Sequence, residues 1–301
     1  MFGYAPDDAS PSALRQWKSQ GCPFVGGTCI KRIGLPDSGR VVSGACSVAN
    51  KLRNGRTEEV IICLQRLYAD GYKSLKTCAQ DAIGGDSPIF MAREYSERKR
   101  AGTLPNECVV LLGQRSGSEI SLRNSAAQLS IDWIIAHMAA GELKLIVPCE
   151  VQSIDTTGNY RDAWRAYANE ETTIPNSGHG MNWANVWKRL IPQLMLKGAV
   201  ASTSTLCEKG LYFIVPDRVY TQFEKLVGEL PEIAEPDRGV LTVMTYELGP
   251  ETREGEFRPL VHSRAIRTLA TDFAESFASG KELLPLGSQL DGKVKDMLAG
   301  L

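Results

Sequence analysis

The chain has 301 residues, 43% hydrophobic and 23% charged, an ordinary globular composition with room for one large domain and a small attachment. Its 34 Lys and Arg against 35 Asp and Glu leave a net charge of −1, which argues against a protein that coats nucleic acid nonspecifically through a strongly basic surface. The apolar runs fall short of the ~20 residues that span a bilayer, so no membrane partner is expected.

The charge is unevenly spread. Residues 1–66 carry nine basic and five acidic side chains, and residues 230–301 carry eight and twelve. A site-specific nucleic-acid enzyme can be neutral overall while its bound surface is basic, so composition neither supports nor excludes a DNA partner. The stretch "MFGYAPDDASPSALRQWK" has neither an apolar h-region nor an Arg-rich amphipathic pattern, and a cytoplasmic location is the expectation.

Residues 1–66 are turn-rich, with "GCPFVGGTC", "GLPDSGR", "VVSGACSV" and "LRNGRTEE". Segments this short bury little apolar surface and usually need a staple. Four of the eight cysteines fall here, Cys22, Cys29, Cys46 and Cys63. Without an export signal disulfides are not expected, which leaves buried free thiols or thiolate metal ligation. The spacing lacks a C-x-x-C knuckle, but the need for a staple favours a structural metal held by the four thiolates. Cys78, Cys108, Cys149 and Cys207 sit in apolar periodic contexts and read as core thiols.

From residue 70 the pattern is more regular. "DGYKSLKTCAQDAIGG" places Leu75, Cys78, Ala79, Ala82 and Ile83 at helical spacing, with Asp70 as N-cap and Gly84–Gly85 as a stop. "ECVVLLG" (107–113) is a short buried strand. Residues 118–138 read as a hairpin around "RNSA", whose second arm puts Leu129, Ile131 and Trp133 on one face and Ser130 and Asp132 on the other. In the next strand, 141–154, Val147, Cys149 and Val151 oppose Glu150 and Gln152. Helices are expected at 159–170 and 182–200, the second capped by Asn182 and kinked at Pro192. Residues 210–216 read as a buried strand, 217–229 as helix, 238–248 as strand and 262–279 as helix. The centre is therefore α/β, a mixed central sheet flanked by helices.

A carboxylate in a strand that reads as buried needs a partner. Asp132 and Glu150 on neighbouring strands converge if those strands pair, and two carboxylates held together require a proton or a cation between them. Mg²⁺ takes one or two carboxylates and fills its other positions with water and phosphate oxygens. Glu119, in the first hairpin arm, offers a third carboxylate. The alternatives are a half-exposed sheet edge and a glycoside-hydrolase pair, the latter disfavoured by the lack of an aromatic-rich cleft. None of the three His has a neighbour at metal-ligand spacing, and no P-loop, G-x-G-x-x-G or G-x-S-x-G occurs. Helix 182–198 presents Asn185, Lys188, Arg189 and Gln193, and the Cys-bearing segment adds Lys31, Arg32 and Arg40. These are side chains that reach phosphates and base edges, although a solvated face is the commoner use of such residues.

"GCPFVGGTC", "GACSV", "VIICLQRLY", "LSIDW", "CEVQSID" and "NWANVWKRLIPQ" occur in this order. Together they resemble the NotI-type restriction endonucleases, and "QSIDTTGNYRDAW" with the last motif resembles especially their EagI branch. The resemblance runs from about Phe2 to the strand at 211–215 and more loosely beyond. It implies a PD-(D/E)XK nuclease core at 67–301 with a C-terminal extension, and a four-Cys metal-binding element with DNA-contacting loops at 1–66.

Carried over, Asp132 and Glu150 match the metal-binding carboxylates. Gln152 stands where most PD-(D/E)XK nucleases have Lys, as in NotI-type members, and Glu119 matches a further acidic position. Cys22, Cys29, Cys46 and Cys63 match the ligands of a structural iron, with zinc as the alternative read from the donors alone. Ile131 departs from the superfamily's Pro. The resemblance thus implies a Mg²⁺-dependent type II site-specific deoxyribonuclease, part of a restriction-modification system. It would bind double-stranded DNA at a GC-rich palindrome centred on GGCC (CGGCCG-like) as a homodimer. Lys31, Arg32, Asn182, Asn185, Lys188 and Arg189 are its candidate DNA contacts. A non-catalytic DNA-binding protein with a structural metal and a DNA-repair nuclease on the same fold are the competing readings.

Overall fold

The period-two apolar runs pair side by side, and the helical runs cover the two faces they leave. The computed structural model describes all residues except 37, 38, 52–54, 56, 114–119, 124, 126, 127, 158, 159, 172, 176–179, 281–283, 285, 300 and 301. Chain order begins with α1 (Pro11–Ser19), whose N-cap Ser10 accepts from the Ala13 N–H. Two antiparallel hairpins come next, β1 (Arg32–Leu35) with β2 (Gly39–Val42), and β3 (Ser47–Lys51) with β4 (Thr57–Ile61). A 3₁₀ turn at Leu64–Tyr68 leads into α2 (Ala69–Ile83).

Beyond α2 lie β5 (Ile89–Met91), α3 (Ala92–Ala101), β6 (Glu107–Gly113), and an outlying hairpin of β7 (Ile120–Arg123) and β8 (Gln128–Ile131). β9 (Trp133–Ala139) and β10 (Glu142–Val151) are an antiparallel pair. The short strands β11 (Thr156–Thr157) and β12 (Gly180–Met181) pair across α4 (Arg161–Ala168). A long helix then opens as α5 (Trp183–Asn185), passes through a π turn at Val186–Leu190, and continues as α6 (Ile191–Thr203). β13 (Leu211–Pro216), α7 (Asp217–Val227), β14 (Val240–Leu248), β15 (Leu260–Leu269), α8 (Ala270–Ser279) and α9 (Leu286–Ala299) complete the chain.

Among the described residues the central sheet has seven strands in the order β15-β14-β13-β10-β9-β6-β5. The pairs β5–β6, β10–β13 and β13–β14 are parallel, and the others antiparallel. The mixed α/β sheet expected from the sequence is therefore present. On one face Leu75, Cys78 and Ala79 of α2 pack on Val109, Leu111, Ile135, Val147 and Cys149. On the other, Ile191, Leu194 and Ala201 of α6 pack on Phe213 and Val215. The N-terminal segment reaches both faces, Val60 and Ile62 on the α6 side and Ile61 and Leu67 on the α2 side. Among the described residues no helix is long and apolar enough to cross a membrane.

Four local expectations change. Residues 262–279 are not one helix: β15 runs to Leu269 and α8 starts at Ala270, because strand meets helix with no turn residues to mark the join. Asp70 does not cap α2. Asp70, Gly71 and Tyr72 have φ of 56°, 65° and 65°, forming a left-handed turn that the Ser74 hydroxyl bridges by donating to the Leu67 carbonyl at 2.5 Å. Pro192 produces a π turn instead of a sharp kink. Its ring lacks an N–H and crowds the preceding turn, and the wider spiral accommodates it with the Ile191 N–H on the Val186 carbonyl. Finally, Ile131 and Trp133 lie in separate apolar clusters, because the chain bends at Asp132 and breaks the period-two alternation.

Candidate active site

β9 and β10 run antiparallel, so the residue before β9 and the last residues of β10 meet at one end of the sheet. Cys149 pairs with Trp133, and on the far side Gly113 pairs with the same Trp133. That register sets Asp132 beside Glu150. The Asp132 N–H donates to Glu150 Oε1 at 3.3 Å, and the Val151 N–H donates to Asp132 Oδ2 at 3.1 Å. Each carboxylate is thus held by the backbone of the other's neighbourhood, a cross-link that needs both strands in register.

Close packing keeps Asp132 in place. A Cβ on Gly113 would lie 2.5 Å from the Asp132 carbonyl oxygen and 2.6 Å from the Trp133 ring, so only glycine lets the three strands close here. Trp133 is anchored in turn, its indole N–H donating to the Tyr68 hydroxyl at 3.0 Å, with the rings of Tyr68 and Tyr72 packed against it.

Lys197, a residue not expected at this site from the sequence, joins the pair. This α6 residue is 8% exposed, and its ammonium donates to Glu150 Oε2 at 2.5 Å. Glu150 is 7% exposed. Burial and the neighbouring Asp132 charge push its carboxyl up to about 7, and the Lys197 ammonium pulls in the opposite direction without cancelling them. A signal for Lys197 was present in the sequence. It stands three residues after Leu194 on the apolar face of its helix, and a lysine in such a position requires a buried anionic partner.

Gln152 lies beyond the end of β10, exposed, with its amide donating to the Ser153 carbonyl at 3.2 Å. It lines a cleft of about 260 Å³ with Asp155, Asn182, Asn185, Arg189 and Gln193. Three of the expected DNA contacts, Asn182, Asn185 and Arg189, are therefore gathered around Gln152. Lys188 and Arg32 are exposed outside that cleft. Lys31 forms an ion pair with Asp155 at 2.9 Å, tying the Cys-bearing segment to the cleft wall. Glu119 lies outside the described residues.

The four N-terminal thiols are all buried. The Cys46 thiol donates to the Gly44 carbonyl at 3.5 Å, and interaction between Cys46 and Cys63 lowers the Cys63 thiol to about 7 and raises that of Cys46. Burial raises the Cys29 thiol, with Cys63 and Cys22 close enough to act on it. The backbone draws the segments together: the Cys22 N–H donates to the Gly27 carbonyl at 2.7 Å, and the Ile62 and Cys63 N–H groups both donate to the Cys46 carbonyl, at 3.0 and 3.1 Å. Among the described residues, however, no three His, Cys, Asp or Glu side chains are gathered tightly enough to form a metal-binding set. The donors themselves suit two kinds of ion, soft thiolates for iron or zinc and carboxylate oxygens for a hard dication.

No family model matches the chain, and no curated protein matches its sequence.

Proposed function

We propose that this chain is a Mg²⁺-dependent type II restriction endonuclease with a PD-(D/E)XK-like core, hydrolysing phosphodiester bonds at a GC-rich palindrome in double-stranded DNA. The observation that carries the reading is the convergence of Asp132 and Glu150 at one end of β9 and β10, each hydrogen-bonded to backbone beside the other. Asp132 and Glu150 would hold the ion, with the Val151 carbonyl as a further oxygen, a donor set that fits Mg²⁺. When bound, such an ion stabilises charge developing on the phosphodiester and lowers the pKa of bound water.

The protein's own contribution is position and recognition. Gln152 carries no charge, so its part is to orient the attacking water through its carboxamide. Asn182, Asn185, Arg189 and Gln193 supply the bidentate-capable amides and guanidinium that read base edges, and Lys31, Arg32 and Lys188 supply charges for phosphates. The GGCC-centred site rests on the sequence resemblance, as does the homodimer whose two-fold axis would match that of the DNA. The thiolate element, with one iron or zinc, would be structural, positioning the N-terminal loops against DNA.

One observation favours the second reading, a catalytically silent DNA-binding protein: Glu150 already has a cation in Lys197. Plasmid cleavage in Mg²⁺ against EDTA separates the two. Discrete fragments in Mg²⁺ alone are expected, and specific binding without any cutting would establish the silent reading.

A further inference from the structure

Lys197 belongs to a polar line along one helix. Asn185, Arg189 and Gln193 are spaced four apart and line the cleft beside Gln152, and Lys197 comes four residues later, buried against Glu150. Its neighbours on the same helix face are Ile191, Leu194 and Ala201, all core residues. α6 is held firmly at this point, because Gly198 lets it approach α8 so closely that a Cβ there would lie 3.1 Å from the Ala270 methyl. The ammonium is therefore aimed by a fixed helix at a fixed carboxylate. Replacing both members of such a buried pair by apolar residues is often neutral or stabilising, whereas losing one leaves a buried charge unpaired. Lys197 is therefore tied to Glu150, and packing alone is a poor account of it.

We propose that Lys197 is the resident counter-ion of the Asp132–Glu150 pair, a positioning residue whose ammonium occupies the seat that a divalent cation takes. The inference rests on the metal-binding reading of the two carboxylates. Without the ion, Lys197 keeps the carboxylates together despite their mutual repulsion. With the ion, Lys197 is released from Glu150 toward the polar line and the cleft. A compact charge on a flexible four-carbon stem suits this exchange.

The test is direct binding of Mn²⁺ by the full chain, read by electron paramagnetic resonance, for wild type, Lys197→Met, Lys197→Arg and Asp132→Ala. Lys197→Met should bind Mn²⁺ at least about tenfold more tightly, since a competing like charge a few ångströms away has been removed. Lys197→Arg should stay close to wild type, and Asp132→Ala should lose binding. Binding that Asp132→Ala abolishes but Lys197→Met leaves equal or weaker overturns the role of Lys197 alone. Failure of both wild type and Lys197→Met to bind Mn²⁺ overturns the metal site itself. Should Lys197→Met not fold, the wild-type chain decides. Acylation of Lys197, tracked by mass spectrometry, should rise several-fold on saturation with Mg²⁺, and an unchanged rate overturns the proposal.

Discussion

The carboxylate pair and the thiol group are two sets of side chains whose donor chemistry suits metal ions, and the fold holds them in opposite ways. Glu150 on β10 and Asp132, in the bend leading into β9, meet at the end of a seven-stranded sheet, joined by hydrogen bonds to backbone and, for Glu150, to Lys197. The four thiols come from a turn, the start of a hairpin and the residue before a 3₁₀ turn, joined by a few backbone hydrogen bonds. The first site is built by the core and the second by local turns. On the proposed reading an ion at the first would add chemistry, whereas an ion at the second would add cohesion.

The sharpest way to break this contrast is to remove a carboxylate. Asp132→Ala should lower plasmid cleavage by three or more orders of magnitude, the rate equivalent of several kcal/mol of lost charge stabilisation. Its melting temperature and specific DNA binding should stay close to wild type. Cleavage at the wild-type rate would show that the pair has no role in the chemistry.

Cys63→Ser should do the reverse. The expected outcome is loss of bound iron or zinc from about one per chain to none, with partial loss of N-terminal structure by circular dichroism and a lower melting temperature. Omitting Mg²⁺ from the buffer, without a chelator, should leave the melting temperature almost unchanged. Equal responses to the two treatments would erase the distinction between the sites.

The pH dependence of the metal-free chain sharpens it further. Glu150 is a carboxyl whose value rises on folding from 4.5 to about 7, so the folded state binds its proton more tightly than the unfolded state does. Stability from this group is therefore full below about 4.5 and is lost as the pH rises through about 7. The amplitude is on the order of 3 kcal/mol. Denaturant midpoints measured between pH 5 and 8 should fall across that window in wild type and flatten in Glu150→Gln. Gly113→Ala is expected to cost about 1–3 kcal/mol or more for crowding the Asp132 carbonyl and the Trp133 ring. Thermal unfolding would measure it, with reduced cleavage as the companion readout.

Glu150 was legible because alternation places Val147, Cys149 and Val151 on one side of a strand and leaves the carboxylate on the other, and the α2-side cluster contains those three residues. Asp132 was legible as a residue, but its geometry was not. It sits in a bend between β8 and β9, and that bend is what separates Ile131 from Trp133. The start of α8 was obscured for a related reason, since β15 passes into helix without a turn. Lys197 was not legible as part of the site because the apolar residues around it define the helix, and its anionic partner lies on a distant strand.

Local order along the chain determined which residues alternate, which recur every three or four positions and which cysteines cluster near the start, because those patterns act over a few neighbouring residues. It therefore determined the α/β character and singled out Asp132 and Glu150. Only the tertiary structure decided that an α6 lysine closes the carboxylate pair and that Gln152 keeps company with Arg189 and Gln193. Lys197 and Glu150 are 47 residues apart, and nothing short of packing a helix onto a sheet brings such groups to hydrogen-bonding distance.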